Sequence, residues 1–197
     1  TKDIFKYPLI YGGMKPRLRS LNFFYEQFDE VEIWFGIRTM DEFIPSIYCE
    51  YLRHFKYRKF VDVFHGDINQ SWVSVVEILQ AIFPKSKINI FPYEGYIGNL
   101  RSVLNSMVSN MEKWDLLMNQ RVRTTVTGQA IKLYSHCHFL IPIKLKSSTI
   151  DSFNKLSSPL YAREKYNPLT ETEKRNLKSL YYADLSELKE MKNVYVL

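Results

Sequence analysis

"VEIWFGIRTMDEFIPSIYCEYLR", residues 31–53, passes from a β-branched and aromatic run through one arginine into a stretch of helical character. The run VEIWFGI predicts a strand over residues 31–37. The stretch after it predicts a helix over 40–57, with Pro45 near the start of its regular part, because an interior proline removes a backbone donor and clashes with the preceding turn. Arg38 thus stands where a strand ends and a helix begins. There its planar, five-donor fork lies beside the unpaired amides of a first helical turn, and both favour an anion. Ser46 follows eight residues later, so a hydroxyl and a guanidinium can converge on one phosphate. The competing reading pairs Arg38 with Asp41 or Glu42 and leaves Ser46 bonded to a backbone carbonyl.

Working outward, IFKYPLIY (residues 4–11) predicts a short strand closed by Gly12 and Gly13, and MKPRLRSLNFFYEQF (14–28) a basic helix with Leu18, Leu21, Phe24 and Phe28 on one stripe. SWVSVVEILQAIF (71–83) reads as an amphipathic helix whose face carries Trp72, Val75, Val76, Leu79 and Phe83, with Pro84 ending it. KINIFPY (87–93) is a further strand and residues 97–118 a further helix. RTTVTGQAIKLYSHCHFL (123–140) holds one more helix, whereas residues 144–160 show no apolar period and predict a long surface loop. The last helix is announced by Thr170 followed three residues later by Glu173, the spacing of a capping box. Strands alternating with helices indicate an α/β fold, a mostly parallel sheet flanked by helices, as a single domain over residues 1–197. In such sheets ligands bind beyond the carboxyl ends of the strands, where Arg38 lies.

The formal charge of +6 favours an anionic partner, yet 21 acidic residues are spread among 27 basic ones, unlike the dense stripe of a dedicated nucleic-acid binder. Cys49 and Cys137 are far apart, so neither a zinc site nor a disulfide framework is expected. No run of apolar residues is long enough to span a bilayer, and the first residues lack the plan of a secretory signal, so the expected location is cytoplasmic. The chain begins without Met and with a strand within its first residues, which suggests that something upstream is missing.

IWFGIRTMDEFIPSIY resembles the region of the sulfotransferase family in which a strand ends in arginine and a serine follows eight residues later to bind the 3′-phosphate of the sulfate donor. PKSKINIFPYEGY is similar to the family's strand ending in Tyr-Glu-Asp, with Tyr93 and Glu94 matching and Gly95 in place of the acid. The helix SWVSVVEILQAIFP and the final LTETEKRNLKSLYYADLSELKEM, of Leu-x-x-x-Tyr-x-x-Asp type, are similar to bacterial sulfotransferase-like proteins of polysaccharide loci. The resemblance covers about residues 25–118 and 168–191. It implies a P-loop-type sulfotransferase-like fold and transfer of a sulfuryl group from 3′-phosphoadenosine 5′-phosphosulfate to a hydroxyl or amine, with a glycan or small molecule as acceptor. Arg38 and Ser46 would hold the donor and Tyr93 would lie on its base.

The family's phosphosulfate loop, of Pro-Lys-x-Gly-Thr-Thr type, has no counterpart here. Either the chain is N-terminally shortened or half of the donor site is lost. The family's histidine base also lacks a counterpart, which leaves His54, His65 and Glu50 as candidates. Arg121 and Arg123, with Thr124, Thr125 and Thr127, form a dense set of phosphate- or sulfate-capable donors, which the resemblance would set where the family closes a basic segment over the donor's 3′-phosphate, although the usual Arg-Lys-Gly form is missing; the competing reading is a solvated basic turn. His136 and His138 flank Cys137, but residues so close in sequence rarely point the same way, and no metal is expected. RHFKYRKF (53–60) interleaves cations with aromatics and reads as a solvated helix end. Two further functions stand beside the enzyme: a degenerate sulfotransferase-like module that binds a nucleotide or anionic glycan without chemistry, and, third, a basic nucleic-acid binder.

Overall fold

A computed structural model describes residues 14–64, 68, 70–93, 107, 126–157 and 165–197. The expected strand over 4–11 and the helix over 97–118 fall almost wholly outside them. The chain divides into two compact units, Thr1–Met40 with Asp67–Trp114 and Arg175–Leu197, and Asp41–Gly66 with Asp115–Lys174.

In the first unit a three-stranded parallel sheet runs in the order β1 (Glu32–Ile37), β2 (Lys87–Pro92), β3 (Val194–Val196). This bears out the α/β class with a parallel sheet; the expectation lacked β3. Its signal was a β-branched and aromatic triplet, Val-Tyr-Val, too short for a period to show. Asn193, at φ 60, turns the chain into it after the last helix. On the central strand Ile88 and Ile90 are fully buried. Asn89, also buried, donates to Glu32 at 3.1 Å, and Glu32 also pairs with Lys87 at 3.2 Å. Gly36 lies opposite Phe91, and a Cβ there would come within 2.8 Å of the Phe91 ring.

The expected basic helix is instead two short ones, α1 (Met14–Arg19) and α2 (Asn22–Tyr25). Leu21 and Phe28 are exposed, so the expected stripe does not form one buried face. The helix that fills the β1-to-β2 crossover, labelled α5 below (Trp72–Ile82), buries every residue of the expected face. Its N-terminus is held from a distance. Ser71 accepts from the Val73 amide at 3.1 Å and donates to the Asp184 carboxylate at 2.8 Å, while the Trp72 amide donates to the same carboxylate at 2.6 Å. Asp184 lies on the final helix (Glu171–Glu190), on a buried face with Leu177, Tyr181 and Leu188. Burial pushes its carboxyl above the ordinary range against the pull of the two donors. The Trp72 indole donates to the Arg38 carbonyl at 2.8 Å, so the same helix start pins the end of β1.

The second unit begins with α3, continuous from the last residue of the first unit (Met40–His54), then α4 (Phe60–Phe64). Pro45 lies inside α3 and not near its start. The carbonyl four residues before it, on Asp41, accepts instead from the Asn167 side-chain Nδ2 at 3.2 Å, which replaces the bond that proline cannot make. After α5 come α6 (Gly128–Cys137), short 3₁₀ turns at His138–Leu140 and Ile143–Leu145, and α7 (Lys146–Ser157). The expected loop over 144–160 is therefore a helix for most of its length. Its buried face is Lys146, Ile150, Asn154 and Ser157, helically spaced but mostly polar, which an apolar period cannot reveal. Ser148, Thr149 and Ser152 return their hydroxyls to carbonyls of the preceding turn. The final helix, α8, starts as expected: the Thr170 amide and hydroxyl both donate to Glu173 at 2.7 Å, and the Glu173 amide donates back at 3.3 Å.

Replacing Asp184 by Ala leaves the buried Trp72 amide and the half-buried Ser71 hydroxyl without this acceptor. Urea unfolding is expected to show a loss of about 3 kcal/mol, with Asp184→Asn losing roughly half of that; an unchanged midpoint in both variants would contradict the clamp.

Candidate functional site

Parallel pairing of β1 with β2 is in register from Glu32 opposite Lys87 to Ile37 opposite Pro92. The residue after each strand is therefore at the same height on neighbouring strands, about 4.8 Å apart. Those residues are Arg38 and Tyr93, and the Arg38 guanidinium sits 4.8 Å from the centre of the Tyr93 ring. Two residues singled out separately in the sequence thus meet at the carboxyl edge of the sheet. The guanidinium lies over the face of the ring, where the negative quadrupole of the phenol attracts a cation. Tyr93 is 39% exposed. Behind the pair, the Trp72 indole holds the Arg38 backbone and packs edge-on against Phe35 at 5.6 Å.

The remaining expected residues are distributed differently. Ser46 is half-buried on α3 in the second unit. Glu50 and His54 come together there: His54, exposed on the last turn, lies 3.7 Å from Glu50, which also faces Arg53 at 3.5 Å. Arg53 is buried and donates to Asp151 on α7 at 2.7 Å, so RHFKYRKF does not begin as a solvated helix end. Its guanidinium ties α3 to α7, and the Lys146 ammonium, donating to the Phe55 carbonyl at 2.7 Å, makes a second tie. His65, Arg121 and Arg123 lie outside the described residues.

Thr127, grouped in the sequence with the anion donors, is a buried helix cap. It accepts from the Ala130 amide at 3.2 Å and exchanges a bond with Ser157 at 3.0 Å, while its own amide donates to Asn154 at 2.9 Å. His136 and His138 each bond a carbonyl of α6, and His138 stacks on Tyr57 at 4.3 Å. Among the described residues no group of three or more His, Cys, Asp or Glu is placed to hold a metal ion.

The sequence reading missed a second feature of this unit. An open cleft of about 420 Å³ is lined by Tyr48, Tyr57, Phe60 and Tyr166, with Lys59 and Lys132 among its walls. Tyr48 is locked by donating to the Arg58 carbonyl at 2.7 Å and by stacking with Tyr166 at 5.6 Å. Burial pushes the hydroxyls of both far above the ordinary tyrosine range, so they stay neutral. Rings with ammonium groups beside them can receive a ring-bearing anion. The signal available in the sequence was the aromatic-cationic alternation of RHFKYRKF, which supplies Tyr57, Lys59 and Phe60.

Cys49 is buried on the inward side of α3, and desolvation pushes its thiol up to about 12, whereas Cys137 is partly exposed. Ellman's reagent at about pH 8 is expected to modify Cys137 in the native protein and Cys49 only after unfolding, because the thiolate is the reactive form; two equally fast thiols would contradict this packing. Compared with protein-family models, with curated proteins and with solved structures, the chain has no significant match in any of the three.

Proposed function

We propose that the chain is a sulfotransferase-like protein whose donor nucleotide binds at the carboxyl edge of the sheet, with Arg38 on a phosphate and Tyr93 against the adenine. What supports the reading is one observation: the Arg38–Tyr93 pair at 4.8 Å, at the ends of adjacent in-register parallel strands. Open α/β sheets bind ligands at that edge. A guanidinium supplies the forked donor set that a phosphate monoester accepts, and an exposed phenol ring supplies a face for a purine. A purine nucleotide that carries a phosphate offers a partner to each of the two side chains. Trp72 acts indirectly, by holding the Arg38 backbone.

The transfer step rests on the resemblance of the stretches that carry these residues. The donor supplies the sulfuryl group: the acceptor oxygen or nitrogen bonds to sulfur, sulfur's bond to the bridging phosphate oxygen breaks, the acceptor proton passes to a base and adenosine 3′,5′-bisphosphate leaves. Cations near the bridging oxygen lower the barrier, as they do in phosphoryl transfer. Glycan hydroxyls or amines are the acceptors that the resemblance favours.

Calorimetric titration with adenosine 3′,5′-bisphosphate tests the site. Arg38→Ala is expected to weaken binding by about tenfold or more, the worth of a charged hydrogen bond, and Tyr93→Leu by roughly fivefold or more, the worth of one stacked base. No binding by the wild-type chain, or equal binding by both variants, would sink the reading. Binding without release of bisphosphate from the donor in the presence of polysaccharide acceptors would leave the non-catalytic module in its place.

A further inference from the structure

Between α6 and α7 the chain carries apolar side chains outward. Phe139, Leu140, Ile143 and Leu145, within seven consecutive residues, are 72, 72, 57 and 54% exposed. Leu133 on α6 and Leu156 on α7 are exposed as well. Single exposed apolar residues are ordinary on protein surfaces, but a contiguous run of large ones is not. The run is fixed at both ends. His138 stacks on Tyr57 at 4.3 Å, and the buried Lys146 donates to the Phe55 carbonyl at 2.7 Å. The two 3₁₀ turns between these anchors close their own backbone bonds, Ile141 to His138 and Leu145 to Pro142. The outward direction is thus set by the fold and not by a loose loop.

Along this segment basic residues outnumber acidic ones. Residues 126–157 contain Lys132, Lys144, Lys146 and Lys155 against the one acid Asp151, which is engaged by Arg53. Lys132, Lys144 and Lys155 are exposed and pair with no carboxylate among the described residues. We propose that this run seats the protein on the surface of an anionic bilayer. Phe139, Leu140, Ile143 and Leu145 enter the boundary between headgroups and acyl chains while the lysines meet the lipid charges. Side chains seven-tenths exposed stand off the surface and offer no concave pocket for the anchors of a protein partner, whereas a bilayer accepts a convex wedge. The contact is peripheral: among the described residues no helix is long and apolar enough to cross a membrane. It is independent of the nucleotide reading.

The test is co-sedimentation of the full chain with phosphatidylcholine vesicles containing phosphatidylserine, against vesicles of phosphatidylcholine alone. Preference for the anionic vesicles is expected, weakened by salt. Phe139→Ser with Leu140→Ser, and separately Lys144→Glu, should each reduce binding about tenfold. All three positions are exposed, and retained circular dichroism with an unchanged urea-unfolding midpoint would show that the variants still fold. Failure to sediment with either vesicle overturns the proposal, and so does binding that both variants leave unchanged. Concentration-dependent self-association in light scattering, abolished by the serine variant without any vesicle binding, would assign the run to a second copy of the chain instead.

Discussion

The buried carboxylate of Asp184 is the constraint on which the first unit depends. It receives the Trp72 amide and the Ser71 hydroxyl at the start of α5, where the helix presents unpaired amides and the positive end of its dipole. A capping side chain normally comes from the helix's own chain. Here Ser71 supplies the local cap, and the final helix adds the charge from more than a hundred residues away. The consequence reaches the edge of the sheet, because the indole of the same Trp72 donates to the Arg38 carbonyl. One carboxylate thereby orients a helix, its first tryptophan and the residue that ends β1.

The second unit uses polar groups in a comparable way. Asn167 supplies the donor that Pro45 cannot, so α3 runs through a proline without an orphaned carbonyl. Asn154 and Ser157 on α7 meet Thr127 at the start of α6, and Arg53 and Lys146 join α3 and its end to α7. Apart from the half-buried Asn167, each of these groups is buried, and leaving one unpaired would cost about 1 to 3 kcal/mol or more. The packing of this unit is therefore specified by hydrogen-bond partners as much as by apolar area.

Parallel register explains the pair at the proposed site. A shift of one residue between β1 and β2 would separate Arg38 from Tyr93 and turn alternate side chains to the opposite face. Ile88 and Ile90 on one side and Gly36 against Phe91 on the other disfavour such a slip. The cleft of the second unit arises differently, from rings packed against one another with lysines beside them, and it owes nothing to strand ends.

The sequence by itself determined the elements whose signals are local. β1, β2, α5 and the capped start of α8 were all legible, since side-chain periodicity and capping residues act within a few positions of each other. It also singled out Arg38, from its place between a strand and a helix, and Tyr93, through the resemblance of the stretch that carries it. Only the tertiary structure decided which polar residues go inside. Asn154, Lys146 and Asp184 are hydrophilic in composition, and their burial becomes favourable only once distant partners, Thr127, the Phe55 carbonyl and the start of α5, stand within bonding distance. The same holds for α7, read as a loop because its inward face is polar, for Pro45, tolerated because Asn167 lies opposite, and for Arg53, drawn inward by Asp151. Apolar burial is written in spacing along the chain; the burial of a charge or an amide depends on a partner that the fold alone brings near.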